Sequence, residues 1–240
     1  MTQRSVVLCY HAISDTWEHL LSVPSRGFER QLRLMLALRY VTGSATDVLE
    51  RRRRVFHVTF DDAFESVRNA VPVLERLRVN ATVFACTDYA DGGKTFDPPE
   101  LAGEAAAHSD ELATMDWDSL AALAERGIEI GSHTRTHAHL TSLSDLELRS
   151  ELHGSRERLE DTLGLPCCFL AFPYGEHDAR VRAAARASGY LGAFALPGRA
   201  RPRDDFALPR VGVWRHTHLP RLTVKTSSLG RPVAMLQGWR

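Results

Sequence analysis

The chain has 240 residues, 44% of them hydrophobic, and its 30 basic and 30 acidic side chains leave a formal charge of zero. That length and content suit one globular domain over residues 1–240, and balanced charge with no nucleic-acid motif excludes a nucleic acid as the expected partner. No stretch approaches the ~20 consecutive apolar residues of a membrane span, so no integral membrane segment is expected.

The N-terminus, MTQRSVVLCYHAI, holds too few apolar residues before Tyr10 and His11 for the hydrophobic region of a secretory signal, and a cytoplasmic location is the expectation. Val6 to Tyr10 reads as a buried strand that delivers His11 to its C-terminal end. Phe28, Leu32, Met35 and Leu36 mark a helix, Arg39 to Val41 a strand, and Thr46 to Arg53 another helix. The basic run Arg51 to Arg54 should end that helix, its charges solvated near the negative end of the dipole.

Val55 to Phe60 is a run of β-branched and aromatic residues, as in a strand covered on both faces. It ends in Asp61 and Asp62. Unpaired carboxylates are unfavourable in a core, so these two should lie at the strand's C-terminal mouth, where a metal or water can meet them. Helical spacing resumes at Val67, Ala70, Val71, Leu74 and Leu77, and the plainest alternative is that one of the two aspartates merely caps that helix.

Ala81 to Cys86 is a further strand, after which residues 87–114, rich in Gly, Ala, Asp and Pro, break the rhythm and read as a cleft wall. Asp116 should cap a helix closed by Gly127, and Ile128 to Ile130 a short strand. Ser144 and Glu147 form a capping box that opens a helix to Leu163, with Leu148, Leu152 and Leu159 inward and Gly164 ending it. Phe169 to Phe172, Leu191 to Ala195 and Ala207 to Val213 are the remaining strands, with a helix from Ala179 to Ser188. Alternating strands and helices predict parallel βα units, closed as a barrel or open as a wound sheet. Cys9, Cys86, Cys167 and Cys168 show no metal-type spacing and read as buried free thiols in a reducing compartment.

After the Ile128 strand comes Gly131-Ser132-His133-Thr134-Arg135-Thr136-His137, two imidazoles four residues apart that would face the same way on one helical turn. Two neutral nitrogens plus one carboxylate make a three-ligand site with a position open for water, the arrangement used by catalytic zinc. The alternative is a pair of hydrogen-bonded loop histidines. His139 reads as a surface residue.

Three motifs in order, TFDDA at Thr59 to Ala63, SHTRTH at Ser132 to His137 and FPYG at Phe172 to Gly175, resemble the polysaccharide deacetylase (NodB homology) family over roughly Val6 to Val213. The resemblance implies an α/β fold, a distorted, incomplete (β/α) barrel. It implies Asp61 as general base, Asp62 as metal-binding carboxylate, and His133 and His137 as histidine ligands. Pro173, Tyr174 and Gly175 match the motif whose tyrosine N–H helps hold the oxyanion. One divalent ion is implied, zinc by default, with nickel or cobalt as substitutes.

The proton donor for the leaving amine is less direct. Many relatives carry it in a late Leu-x-His motif, which WRHTHLP, with His216 and His218, does not match. Tyr10-His11-Ala12-Ile13 instead looks like the YHxI element of the poly-β-1,6-N-acetylglucosamine deacetylase branch, whose motif order is permuted, and this assigns the acid to His11. The alternative is a histidine simply hydrogen-bonded at the rim. Ala171 and Phe172 stand where many relatives have an arginine that orients the base; Arg210 in LPRVGV is the candidate replacement, or else the partner of a structural carboxylate.

The implied activity is metal-dependent hydrolysis of the N-acetyl group of an N-acetylated sugar, in a poly- or oligosaccharide or a glycan precursor, releasing acetate. A precursor substrate would bring the protein to a membrane surface. The competing readings are an amidohydrolase for a small non-sugar amide and a non-catalytic carbohydrate-binding domain on the same fold. Oligomeric state is open.

Overall fold

The computed structural model describes residues 5–52, 54–196 and 204–227. Its strands are β1 (Val6–Tyr10), β2 (Ala12–Ile13), β3 (Ser22–Val23), β4 (Val41–Thr42), β5 (Val55–Phe60), β6 (Ala81–Ala85), β7 (Glu129–Ser132), β8 (Phe169–Ala171), β9 (Gly192–Ala195), β10 (Leu208–Pro209) and β11 (Val211–Gly212). The main sheet runs β10-β9-β8-β7-β6-β5-β1-β11 with every pair parallel, and β4 adds to β5 off this path. β2 and β3 pair separately.

The sheet nearly closes on itself because β10 and β11 are halves of one segment. Leu208 is in register with Phe194 on one side, Val211 with Leu8 on the other, and only Arg210 separates the halves. The strand expected over Ala207 to Val213 is therefore present but split at Arg210, whose N–H donates to Ala195 O at 3.0 Å. This is the distorted, incomplete (β/α) barrel that the sequence motifs imply.

Alternation along the strands sorts side chains into two layers. Val6, Leu8 and Tyr10, Phe56, Val58 and Phe60, and Ala81, Val83 and Ala85 join the large core shared with the helices. Val7, Val55, Phe84, Phe169, Phe194 and Leu208 form a separate cluster inside the barrel. Truncating one of those phenylalanines would remove about 3–5 kcal/mol. Gly131 belongs to the inner layer by necessity, since a Cβ there would stand 2.5 Å from the Phe84 ring.

Several helices differ from their sequence expectation for local reasons. The helix after Asp62 begins as a 3-10 turn, Glu65–Ala70, and becomes α-helical only over Val71–Leu77, where Pro72 occupies the first turn. The helix expected over Thr46 to Arg53 spans Ala45–Leu49, opened by a Ser44–Asp47 capping box. Arg51 and Arg52 lie just beyond it rather than ending it, because Arg51 turns left-handed at φ 61°, and Arg53 lies outside the described residues. The Ser144–Glu147 capping box is present, but the helix is Asp145–Arg149, then a π-helical turn at Ser150–Gly154, then Ser155–Leu163. After His216 the chain forms a helix at Leu219–Thr226. All four cysteines are free, with Cys9, Cys86 and Cys167 buried. No helix among the described residues is long and apolar enough to cross a membrane.

Candidate active site

The inner-layer parity that places Val7 and Val55 in the barrel carries through Cys9 to His11 and through Thr59 to Asp61, and from Gly131 to His133. Each of His11, Asp61 and His133 thus lies just past the C-terminal end of its strand, the end at which βα barrels gather chemistry. Asp61 prolongs the ladder, its N–H donating to Tyr10 O at 3.0 Å. Asp62 at φ 67° and Ala63 at φ 50° then turn the chain through the left-handed region. Neither carboxylate caps the following 3-10 helix, so that simpler reading of the pair is not realised.

Asp61 is held by the split strand. Arg210 Nη1 donates to Oδ1 at 2.6 Å and Nη2 to Oδ2 at 2.9 Å, and Nη1 also reaches Thr59 Oγ1 at 3.2 Å. The Cys9 thiol donates to Oδ2 at 3.4 Å. Burial alone would raise the Asp61 carboxyl; the charges of Arg210, His133 and His11 outweigh it and hold the group well below the usual carboxylate range.

Asp62 faces the two histidines of the SHTRTH stretch, its Oδ1 standing 3.4 Å from His133 Nε2 and 3.5 Å from His137 Nε2. These are ion-pair distances rather than formed hydrogen bonds, and Oδ1 is buried without a hydrogen-bond partner. His133 Nδ1 lies 2.8 Å from Ala171 O, to which it can only donate, leaving the Nε2 lone pair turned to Asp62. The three residues offer one donor atom each within 4.8 Å of one another. Atoms bound at ~2.0–2.1 Å around a tetrahedral ion lie about 3.3 Å apart, so an orphaned carboxylate oxygen and two imidazole nitrogens at this spacing fit a divalent metal. Burial pulls His137 down to about 4, against the opposing pull of Asp62, so the ring is neutral and ligand-competent at pH 7. His133, which burial would lower, is raised by Asp61 and Asp62, and a metal there would compete with a proton.

The two histidines do not share a helical turn. Thr134 at φ 72° and His137 at φ 61° are left-handed, and Thr134 Oγ1 accepts the His137 N–H at 3.1 Å. An irregular loop, not helical periodicity, brings the imidazoles together. Their ring centroids are 4.9 Å apart.

His11 is 7% exposed and stacks on Trp214, with ring centroids 5.1 Å apart, and its buried Nδ1 has no hydrogen-bond partner. A ring nitrogen lies within 4.8 Å of an Asp61 oxygen. Burial lowers its affinity for a proton, opposed by Asp62 and Asp61. Trp214 escaped the sequence reading, although an indole in WRHTHLP was a signal of packing at that end of the chain. His216 and His218 are exposed and do not line the cleft.

Past β8, Pro173 is buried, Tyr174 is left-handed at φ 57°, and Gly175 at φ 69° sits where a Cβ would meet Leu196 Cβ at 2.7 Å. Tyr174 marks the rim, its hydroxyl donating to Glu100 at 3.0 Å and its ring stacked 4.1 Å from His139. The surface histidine His139 is thereby ordered between Glu176 and Glu100 at 3.0 and 3.3 Å. The cleft encloses about 460 Å³ including its mouth, floored by His11, Asp61, Asp62, His133 and His137. Phe96, Pro98 and Leu101 wall it, so the 87–114 segment does face the site. That segment is tied to the chain after β1 through Trp17 Nε1–Glu104 at 3.2 Å and Ser14 Oγ–Glu111 at 3.0 Å.

A parallel barrel with a buried Asp-His-His donor set that fits a divalent ion and an Arg-paired carboxylate, both at its C-terminal mouth, has the layout of a (β/α) protein whose chemistry gathers at that end. A family model described as "Polysaccharide deacetylase" matches residues 49–193, and the chain belongs to that family. The matched span holds Asp61, Asp62, His133, His137 and Pro173 to Gly175, and leaves out His11 and Arg210. Over 217 residues the chain is 26% identical to YxkH of Bacillus subtilis (strain 168), whose name places it among the polysaccharide deacetylases, covering 86% of this chain and 70% of that one. The crystal structure of BC0361, a polysaccharide deacetylase from Bacillus cereus, superposes with a TM-score of 0.75 at 24% identity, covering 94% of this chain and 70% of that one. IcaB from Ammonifex degensii gives 0.76 at 20% identity, covering 95% and 97%. These two likenesses show the fold.

Proposed function

We propose that the protein is a metal-dependent carbohydrate N-deacetylase that hydrolyses the N-acetyl group of an N-acetylated sugar, in a poly- or oligosaccharide or a glycan precursor, and releases acetate. The observation that carries this reading is the orphaned Asp62 carboxylate oxygen facing His133 and His137 beside the Arg210-bound Asp61. Family membership and the names of the similar proteins support it. Zinc is the default ion for a His₂-carboxylate set.

Asp62, His133 and His137 would hold the ion, which when bound would polarise the amide carbonyl and acidify a water. Asp61 accepts the water's proton. Arg210 engages one lone pair of each Asp61 oxygen and fixes the carboxylate plane, and the Cys9 thiol takes a second on Oδ2, which makes Oδ1 the acceptor for that proton. The Tyr174 backbone N–H, carried on the left-handed turn that Gly175 permits, donates to the developing oxyanion. His11, whose proton affinity burial lowers and the two neighbouring carboxylates raise, takes up the proton that Asp61 has accepted from the water and gives it to the departing amine. An acid at the N-terminal Tyr10-His11-Ala12-Ile13 element favours a likeness to the poly-β-1,6-N-acetylglucosamine deacetylase branch.

The test is release of acetate by the zinc-loaded protein from N-acetylglucosamine oligomers, run beside a small non-sugar N-acetyl amide. Acetate from the oligomers at the higher kcat/KM supports the proposal. Preference for the small amide, or sugar binding without acetate, contradicts it.

A further inference from the structure

The loop that carries His137 is shaped from behind by a carboxylate outside all three sequence motifs. Glu151 is 8% exposed and sits on the π-helical turn Ser150–Gly154. Its Oε2 accepts the Arg135 N–H at 2.9 Å and the Thr136 N–H at 3.0 Å, and its Oε1 accepts the Thr136 hydroxyl at 2.8 Å. Among the described residues no cationic side chain pairs with it. The Arg135 guanidinium goes instead to Asp88, at 3.1 and 3.3 Å, and to Ser150 Oγ at 2.8 Å. A nearly buried anion whose partners are two successive amides and one hydroxyl of a single loop is placed to set that loop's conformation.

The loop needs such a hold. Thr134 and His137 are both left-handed without being glycine, a conformation that persists only when its surroundings impose it. On the other side, the Thr87 and Asp88 N–H groups donate to the carbonyls of Thr134 and Arg135 at 3.2 and 3.1 Å. Between His133 and His137 the chain is thus gripped from both sides, and Glu151 is the only charged group that bonds to its amides among the described residues. π-Helical turns recur at functional sites because the extra residue re-aims a side chain. Here the turn interrupts an otherwise regular helix at the residue that reaches the loop.

We propose that Glu151 is a positioning residue for the metal site: by fixing the Arg135 and Thr136 amides it holds His137 Nε2 where it converges with His133 Nε2 and Asp62 Oδ1. This rests on the reading of those three residues as metal ligands. Removing the anion lets the loop relax and spreads the donor atoms, which weakens the metal without unfolding the barrel.

The test is cobalt(II) titration of the chelator-stripped full chain, followed by the visible absorption of the bound ion, with thermal melting of the metal-free protein alongside. Glu151→Gln should bind cobalt about 10–100-fold more weakly, the usual loss when a partner of a ligand is removed, with an altered absorption band. Glu151→Asp, which keeps the charge, should recover part of that affinity. Thr136→Val, at an exposed position, deletes only the hydroxyl bond and should weaken cobalt severalfold in a protein that melts like the unaltered chain, which keeps the proposal testable if Glu151→Gln fails to fold. Cobalt affinity and spectrum unchanged in the folded Glu151→Gln protein, or in Thr136→Val where Glu151→Gln does not fold, would overturn the proposal and leave the metal site standing. Failure of the unaltered chain to bind cobalt would overturn the metal site itself, and this role with it.

Discussion

Arg210 and Asp61 are joined by two parallel hydrogen bonds, at 2.6 and 2.9 Å, with the arginine side chain fully enclosed and the aspartate 3% exposed. The arginine comes from the break between β10 and β11, the seam that closes the barrel. Orientation of the Asp61 carboxylate and closure of the fold are therefore built from one residue.

Arg210→Met should act on both. Loss of one partner of a buried ion pair destabilises by about 3–5 kcal/mol, read as a lower midpoint in chemical denaturation. The same change removes the charge that holds the Asp61 carboxyl low, so burial raises it and the acid limb of the pH–rate profile moves to higher pH. Arg210→Lys keeps the charge but not the paired geometry, so it should restore more of the pH profile than of the turnover. An unmoved acid limb in Arg210→Met would show that Asp61 does not titrate as the base.

The proposed mechanism divides the work of Asp61 and Asp62. Asp61→Asn should keep metal and lose at least ~10²-fold in turnover, whereas Asp62→Asn, His133→Ala and His137→Ala should lose stoichiometric metal with the fold intact. Metal analysis of the four purified variants reads this directly. Equal metal loss in Asp61→Asn and Asp62→Asn would mean the two roles are divided wrongly.

His11→Ala should retain metal and lose on the order of 10²–10⁴-fold in turnover on an N-acetyl sugar, but far less on an activated acetate ester, whose leaving group departs without a proton. His216→Ala and His218→Ala, at exposed positions away from the cleft, should leave both rates nearly unchanged. Equal losses on amide and ester would assign His11 to packing against Trp214 instead.

Much of this site was legible because its residues follow strands whose apolar runs are long. The five buried residues of β1 and six of β5 announce themselves, and parity then fixes where His11 and Asp61 point. Arg210 was legible as a candidate, but the break that turns it inward was not, since LPRVGV reads as one strand until its halves find different neighbours. The convergence of His133 and His137 came from left-handed residues that spacing does not encode. Glu151 was hidden because a carboxylate on the inward face of an amphipathic helix, one residue before Leu152, looks like a misplaced surface residue until the loop amides arrive.

Acid lability has a separate source in His57, buried in β5 with Nδ1 2.8 Å from Gly43 O and Nε2 2.8 Å from Thr82 Oγ1. Burial holds it at about 4, below its ordinary 6.5, so the unfolded chain binds the extra proton. Stability is therefore full above about pH 6.5 and falls as the pH drops toward 4, by about 2–3 kcal/mol between pH 7 and 4.5. Urea unfolding at these two pH values measures the difference. In His57→Gln it should shrink by that amount, even though the variant is weaker at pH 7; an unchanged pH dependence would remove His57 from the account.

The most direct test of the central claim is acetate release from N-acetylglucosamine oligomers by the chelator-stripped chain before and after zinc is restored. The account predicts that stripping abolishes release, that about one equivalent of zinc per chain restores it, and that His137→Ala is not restored by that equivalent. Undiminished acetate from the metal-free protein, or none from the zinc-loaded one, would contradict it.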